Sequence, residues 1–331
     1  QLLYIFAEEA GKKINNVLTP TEVVSLITKL IDGNRKNACL CDPASGSGTL
    51  LIEVGKKMGI RGTELYGQEV NWNLYALTKM NLMLNGFKGA TFLWGDSLSN
   101  PKLLDHGGLR KFDIVVSVPP FADKWAAEEA YSDFYKRFKY GIPPKSQVTW
   151  AYISHILASL RNDGQAVVVV PVGVLFRNTE SKIREQIIEH NLLEAVIELP
   201  PNLFYGAAIS TAILVFRKER MRTQTLFVDA RKGYISNKGL YKLSDKVLEQ
   251  LPNIYKKFLI GEEVGGEKNG CPVYVATQDE IRHNKYDLKV IKYVEDKIER
   301  KEIDVKDALR KIDELEERLT YICLLYTSDA A

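Results

Sequence analysis

The sequence predicts an α/β fold: a doubly wound sheet of seven mostly parallel strands with helical N- and C-terminal flanks. Three observations predict it. Short β-branched runs alternate with helical patterns, the mark of successive βα units. The runs are apolar almost throughout rather than at every second residue, as strands covered on both faces are. The last two runs are separated only by Pro200–Ile209, too short for a helical crossover, so they pair as an antiparallel hairpin at one end of the sheet.

In chain order, Gln1–Lys13 reads as the end of a helical region, so residues 1–18 close a truncated N-terminal part. The core spans residues 19–217. Its helices are Thr21–Ile31, Thr49–Met58, Asn71–Leu84, Thr149–Leu160 and Glu180–His190. Its strands are Ala38–Asp42, Glu64–Glu69, Ala90–Trp94, Phe112–Ser117, Gln165–Pro171, Leu192–Leu199 and Ser210–Phe216. Phe112–Ser117 runs into Val-Pro-Pro-Phe. Two adjacent prolines donate no N–H and fix φ, so a buried strand stops at a rigid corner. Residues 218–295 read as an extension of the core. Over 296–322 the chain is charged and helical, with Val305, Leu309, Ile312, Leu315 and Leu319 along one side. About two heptads are too few to decide between a coiled coil and a helix docked on its own domain. The closing CLLYTSDAA, Cys323–Ala331, reads as a translated sequencing adapter and has no place in the fold.

The 331 residues are 45% hydrophobic and 26% charged, the composition of a soluble globular protein. The longest apolar run, Ala166–Phe176, is too short to span a bilayer, so no membrane is expected. A net charge of +3 neither demands nor excludes nucleic acid; a polyanion site must be a local patch. Cys39 and Cys41 lie two apart on one strand and face the same way. With Cys271 and Cys323 they form no zinc-type cluster with histidine, so they read as reduced thiols of a cytoplasmic protein without a metal. His106, His155, His190 and His283 are scattered.

The chemistry gathers at strand ends. CDPASGSGTL follows the first strand and opens a helix. Gly46 and Gly48 allow close backbone approach, and a helix N-terminus offers unpaired N–H groups. A lone G-x-G also occurs in βα turns that bind nothing. Glu69, ending the second strand, can accept both hydroxyls of a ribose, and Asp96, ending the third, can take an adenine amino group. With Asp42 they converge on one crevice outside the carboxyl ends of the strands. A nicotinamide enzyme uses similar geometry, but Gly48 is followed by Thr49-Leu50-Leu51, with no third glycine. Between Ala122 and Gln147, Trp125, Tyr131, Phe134, Tyr135, Phe138 and Tyr140 interleave with Lys124, Lys136, Arg137, Lys139 and Lys145. That mixture suits unstacked bases and phosphates, or a partly buried loop with a basic rim. Lys218, Arg220 and Arg222 read as a solvated surface turn.

The order Thr19-Pro20, D-P-A-S-G-S-G (Asp42–Gly48), Y-G-Q-E (Tyr66–Glu69), G-D-S-L (Gly95–Leu98) and x-P-P-F (Val118–Phe121) resembles the adenine-N6 DNA methyltransferases. More narrowly it resembles the modification (M) subunit of type I restriction–modification systems. FAEEAGKK (Phe6–Lys13), YGIPPK (Tyr140–Lys145), LPPNLFY (Leu199–Tyr205) and NKYDLKVIKYV (Asn284–Val294) are similar to that subfamily, and the likeness covers roughly residues 6–295. The resemblance implies an S-adenosylmethionine site made by Asp42, Ala44, Ser45, Gly46, Gly48, Thr49, Glu69, Asp96 and Ser97. Thr19 and Pro20 would close over the methionine end. Val118, Pro119, Pro120 and Phe121 would face an adenine flipped out of double-stranded DNA. The implied partners are a specificity subunit, a restriction subunit and a second M subunit.

In that family an Asn or Asp oxygen and the first proline's carbonyl accept the two amino hydrogens of adenine, drawing its nitrogen toward the methyl donor; the aromatic residue stacks on the base. This sequence carries Val118 where the family pattern has Asn, and valine has no acceptor. Ser117 points to the opposite face of a regular strand. Two alternatives therefore stand beside adenine methylation. One is a non-catalytic protein that binds cofactor and DNA. The other is a methyltransferase using the corner on a protein glutamine amide.

Overall fold

Runs buried on both faces assemble side by side, and a computed structural model of the protein shows ten of them hydrogen-bonded in one sheet. It describes residues 19–31, 37–121, 123–204, 209–237, 240–264, 266–268, 271–294 and 315. In order come α1 (Thr21–Leu30), β1 (Leu40–Asp42), α2 (Thr49–Lys57), β2 (Leu65–Glu69), α3 (Trp72–Leu84), β3 (Thr91–Trp94) and β4 (Phe112–Ser117). Then follow α4 (Val148–Ser159), β5 (Leu160–Pro171), α5 (Ser181–Glu189), β6 (Leu193–Glu198), β7 (Thr211–Arg217) and β8 (Thr225–Asp229). The last are α6 (Asp245–Ile260), β9 (Gly266–Lys268), β10 (Cys271–Ala276), α7 (Gln278–His283) and α8 (Ile291–Val294). Two short hairpins, Leu104–Asp105 with Gly108–Leu109 and Tyr234–Asn237 with Leu240–Leu243, stand apart from the sheet.

The strand order is β9-β10-β8-β6-β7-β5-β4-β1-β2-β3. β1, β2, β3, β4 and β5 pair in parallel, as do β6 and β8. Only β7 and β10 run against the rest. Two expectations are corrected. The sheet has ten strands rather than seven, because the extension after residue 217 adds β8, β10 and β9 to it. The β6–β7 hairpin forms, yet it lies inside the sheet, since β7 slots between β5 and β6 and β8 covers the far edge of β6. The expected helical features at 1–13 and 305–319 fall outside the described residues, apart from residue 315, which is helical and exposed.

Period-two alternation divides the core. Ile114, Val116, Val167 and Val169 face α1, α2 and α6; Val115, Ala166, Val168 and Val170 face α4 and α5, and Phe112 joins the second set because the strand is irregular between it and Ile114. Cys41 is buried on the α4 side with Cys39 packed beside it, on one face as the spacing requires. A charged network sits where the hairpin meets the helices. Glu194 on β6 is 4% exposed. It accepts from Arg217 Nε at 3.1 Å and from the Tyr255 hydroxyl, with Arg220 Nε 3.8 Å away. Gln165 Nε2 donates to Tyr255 Oη and to the Leu30 carbonyl, both at 3.0 Å. This ties α1, β5, β6, β7 and α6 together.

Glu194→Ala strands two arginines and a phenol away from water. We expect a loss of about 3–5 kcal/mol, the cost typical of removing one partner from a buried pair, read as a lower denaturant midpoint with an unchanged m-value. A change below 1 kcal/mol, on the order of a surface pair, would show that water reaches the network.

Candidate active site

β1 ends at Asp42, and the chain turns at once through Pro43–Gly48 into α2. Gly46 and Gly48 both adopt positive φ, 55° and 72°. Gly46 lines the cavity described below. Its N–H donates to Glu69 Oε2 at 2.8 Å and its carbonyl accepts from the Thr78 hydroxyl at 2.8 Å. Gly48 is the N-cap of α2, and a Cβ there would stand 2.3 Å from Thr78 Cγ2. Its glycine answers to turn conformation and to α3, and it does not line the cavity, unlike the close approach to a ligand expected of it.

Asp42 is 2% exposed. Its Oδ1 accepts from the Ala44 N–H at 3.0 Å and from the Ser117 hydroxyl at 2.9 Å. Burial pushes its pKa up to about 7, against the lowering by those two bonds and with a smaller upward push from Glu69. Glu69 is 7% exposed. It accepts one backbone N–H on each oxygen, from Gly46 and from Asn71 at 2.8 Å. Burial raises its pKa despite those bonds. Asp96 is tied into its own turn, accepting from the Leu98 N–H at 2.9 Å and the Ser99 hydroxyl at 2.8 Å.

β4 carries the corner to this place. Ser117 faces Asp42, away from the position of Val118, as the regular strand requires. Val118, Pro119, Pro120 and Phe121 line a cavity of about 320 Å³ together with Asp42, Glu69 and the glycine turn. The Thr149 hydroxyl on α4 donates to the Pro120 carbonyl at 3.1 Å. Phe121 meets Phe204 edge-on, ring centroids 5.6 Å apart at 83°. Thr19, Ala44, Ser45 and Thr49 also line the cavity. Pro20 caps α1 nearby, where its carbonyl accepts from Val24 N–H at 3.0 Å. Asp96 instead lines an adjoining cavity of about 160 Å³, which shares Val70, Pro120, Asp123 and Tyr152 with the first. Ser97 faces neither; its hydroxyl donates to the Pro43 carbonyl at 2.6 Å.

Among the lining residues not anticipated are Asp123, Tyr152 and Phe204. Phe204 lies in the LPPNLFY stretch, so its sequence signal existed without a role attached. Tyr152 sits in a helix buried nearly all round, where no polar face draws the eye. It is 5% exposed, and burial, reinforced by Asp96, Glu69, Asp42 and Asp123, pushes its pKa up, so it stays a neutral phenol.

The aromatic and basic segment after the corner is mostly structural. Trp125 and Phe138 stack with centroids 5.1 Å apart and bury themselves with Leu98, Val148 and Tyr152. Arg137 is 6% exposed. It donates to Asp133, to the Ser97 carbonyl at 3.0 Å and to the Leu98 carbonyl at 2.8 Å. Its neighbour His155 is buried, and desolvation followed by the Arg137 charge lowers its pKa to about 3. Tyr131, Phe134, Lys124, Lys136 and Lys139 remain exposed. The run at 218–222 is not a solvated turn: Lys218 donates to the Leu160 carbonyl at 2.6 Å, and Arg220 is held by the Leu193 and Gln224 carbonyls, leaving Arg222 exposed.

A family profile described as N-6 DNA Methylase matches residues 1–302. The chain is 32% identical to the type I restriction enzyme MpnII methylase subunit of Mycoplasma pneumoniae, over 95% of this chain and 59% of that protein. It is 34% identical to the type I restriction enzyme MjaVIII methylase subunit of Methanocaldococcus jannaschii, over 95% of this chain and 55% of that one. Among solved structures, the methyltransferase subunit of a type I restriction-modification system from Streptococcus thermophilus aligns with a TM-score of 0.76 at 30% identity. That alignment covers 84% of this chain and 58% of the other. The chain spans just over half the length of these relatives. None of this favours the glutamine-directed or the non-catalytic alternative.

The Asp42 pKa has a thermodynamic consequence. Folded Asp42 holds its proton up to about pH 7, whereas an unfolded carboxyl releases it near 3.8. The folded state therefore binds more protons across that window, and the contribution of Asp42 to stability falls as pH rises through it. Melting temperatures of the wild type and Asp42→Asn, measured across the window, should show the wild type losing ground to the variant with rising pH. Parallel pH responses would mean that Asp42 titrates at its ordinary value.

Proposed function

Since this chain belongs to the N-6 DNA Methylase family, we propose that it transfers a methyl group from S-adenosylmethionine to the N6 atom of adenine in DNA, as the M subunit of a type I restriction–modification complex. The observation that carries this reading is the meeting, in one cavity, of the glycine turn, the strand-end acids Asp42 and Glu69, and the Pro119–Phe121 corner.

The residues fit the cofactor. A cavity of about 320 Å³ lies in the range of small-molecule sites. Glu69 has accepted a single N–H on each oxygen and keeps lone pairs for a ribose diol. The N–H groups of the first turn of α2 suit an anionic carboxylate, and a sulfonium cation bound beside Asp42 would favour release of the proton it otherwise holds up to about pH 7. Ala44, Ser45, Gly46 and Thr49 would form the wall, with Thr19 over the methionine end and Pro20 setting its direction. Asp96, in the adjoining cavity, would take the cofactor's adenine. When bound, the cofactor supplies an electrophilic methyl group.

The corner does the rest by position. The adenine amino lone pair is delocalised into its ring, so the nitrogen is a poor nucleophile. The Pro119 carbonyl accepts one amino hydrogen and draws the nitrogen toward a tetrahedral shape. Two prolines and the Thr149 bond to the Pro120 carbonyl hold that carbonyl still, which is preorganisation rather than base catalysis. Phe121, braced edge-on by Phe204, offers a face for a base taken out of the duplex.

Sequence choice falls to a specificity subunit, with a restriction subunit and a second M subunit completing the assembly. The chain's small net charge of +3 suits weak DNA binding alone and tight binding in the complex. Among the described residues no helix is long and apolar enough to cross a membrane, and the proposed site of action is cytoplasmic DNA.

Two measurements test this. Glu69→Ala should weaken S-adenosylmethionine binding by about 1.5–3 kcal/mol, one charged hydrogen bond, in calorimetry on a protein that remains folded; unchanged affinity would give Glu69 a structural role. The complex assembled with a cognate specificity subunit should transfer labelled methyl groups to adenine in DNA. Cofactor binding with no transfer to adenine would reject the reading.

A further inference from the structure

We propose that the Tyr152 hydroxyl oxygen accepts the adenine amino hydrogen for which Val118 offers no acceptor. The proposal rests on the methyl-transfer reading above and names the residue that completes its site. Val118 lines the cavity and packs against the core on the α1 and α2 side, with nothing polar to offer. The neighbouring polar groups already have partners. The Ser117 hydroxyl is given to Asp42, and the Thr149 hydroxyl to Pro120. The phenol is not engaged in this way. Tyr152 lines the same cavity and is 5% exposed, and among the described residues its hydroxyl makes no hydrogen bond. The ring is buried, but the hydroxyl oxygen is not among the buried atoms left without a partner, so it opens onto the cavity where a ligand can reach it.

Placement on α4 supports the role. Thr149 and Tyr152 lie three residues apart, on one face of the helix. Thr149 is hydrogen-bonded to the corner itself, so the face carrying Tyr152 is seated against Pro120, and both cavities are lined by Tyr152 and Pro120 together. The chemistry agrees. A phenol can accept through its oxygen while keeping its own proton. Asp96, Glu69, Asp42 and Asp123 all lie near enough to hold the phenol protonated. Asp123 also lines the cavity but is exposed, so water competes for its oxygens, and it stands on a loop rather than a helix.

In the transfer, the nitrogen lone pair forms the new N–C bond, the S–C bonding electrons stay on sulfur, and one amino proton leaves to water. Tyr152 stays protonated throughout. It aligns the nitrogen as the Pro119 carbonyl does, from the second amino hydrogen.

The test is a cycle of four proteins in the complex with the specificity subunit: wild type, Tyr152→Phe, Val118→Asn and the double variant. Methyl transfer to adenine is measured beside cofactor affinity by calorimetry. Tyr152→Phe should lower kcat by about 10²-fold, the scale of one preorganised hydrogen bond, with cofactor affinity held. In the Val118→Asn background the loss should shrink at least about tenfold, because the asparagine supplies the acceptor and the two sites are coupled. Equal losses in both backgrounds, or none in either, would overturn the proposal. Asp123→Ala, made in the wild-type and Val118→Asn backgrounds beside the four, should cost little; a loss that Val118→Asn rescues would overturn the proposal and move the acceptor to Asp123. A wild type that is inactive while Val118→Asn is active would overturn it too, leaving the methyl-transfer reading intact. No transfer by any of the four, with cofactor bound, would reject that reading itself.

Discussion

One carboxyl oxygen joins the two loops from which the cavity is made. Asp42 Oδ1 receives the Ala44 N–H from the glycine turn and the Ser117 hydroxyl from the end of β4. Ser117 directly precedes the corner. The bond therefore fixes the distance between the loop that would hold the cofactor and the residues that would hold the base. β1 and β4 are neighbours in the sheet, so parallel pairing brings their carboxyl ends to the same edge. The hydrogen bond turns that neighbourhood into a fixed geometry. Methyl transfer depends on such geometry more than on acid–base strength, because the donor is already activated and the acceptor needs only to be aimed.

A second set of bonds secures the opposite wall. Arg137 joins Asp133 to the Ser97 and Leu98 carbonyls, binding the segment after the corner to the turn that carries Asp96. Thr149 holds the corner from α4. The walls of both cavities are thus made of loops pinned by polar groups to rigid elements, rather than of loops that pack only on one another.

What could be read in the sequence follows from where the physics is local. β1 to β4 and α1 to α3 were legible because apolar runs, helical periodicity and Pro or Gly punctuation act over a few residues. Asp42, Glu69 and the corner were legible because parallel strands place their ends together. β8 and β10 were not recognised, although TLFVD and CPVYVA are apolar runs, because the mixed sequence around them hid the continuation of the sheet. The start of β5 was missed because Arg161-Asn162-Asp163-Gly164 reads as a turn; there β4 and β5 shift register, and the strand continues through the irregularity. Arg137 and Arg220 looked like surface cations, since the carbonyls and carboxylate that satisfy them lie far along the chain. Tyr152 was hidden for the reverse reason: a helix buried all round shows no amphipathic face.

The strand order also sets a schedule for synthesis. β6 has both of its sheet partners later in the chain, β7 on one side and β8 on the other. All six of its residues are buried in the finished fold. As it leaves the ribosome it has nothing to pair with, and its second edge is closed only about thirty residues later, when β8 arrives. During that interval a strand destined for full burial presents open backbone groups, on both edges until β7 arrives and on one until β8 does, the condition under which strands of neighbouring nascent chains join each other. Slow translation across residues 199–229 prolongs the exposure, so codon choice over that stretch bears on yield without touching any residue of the site.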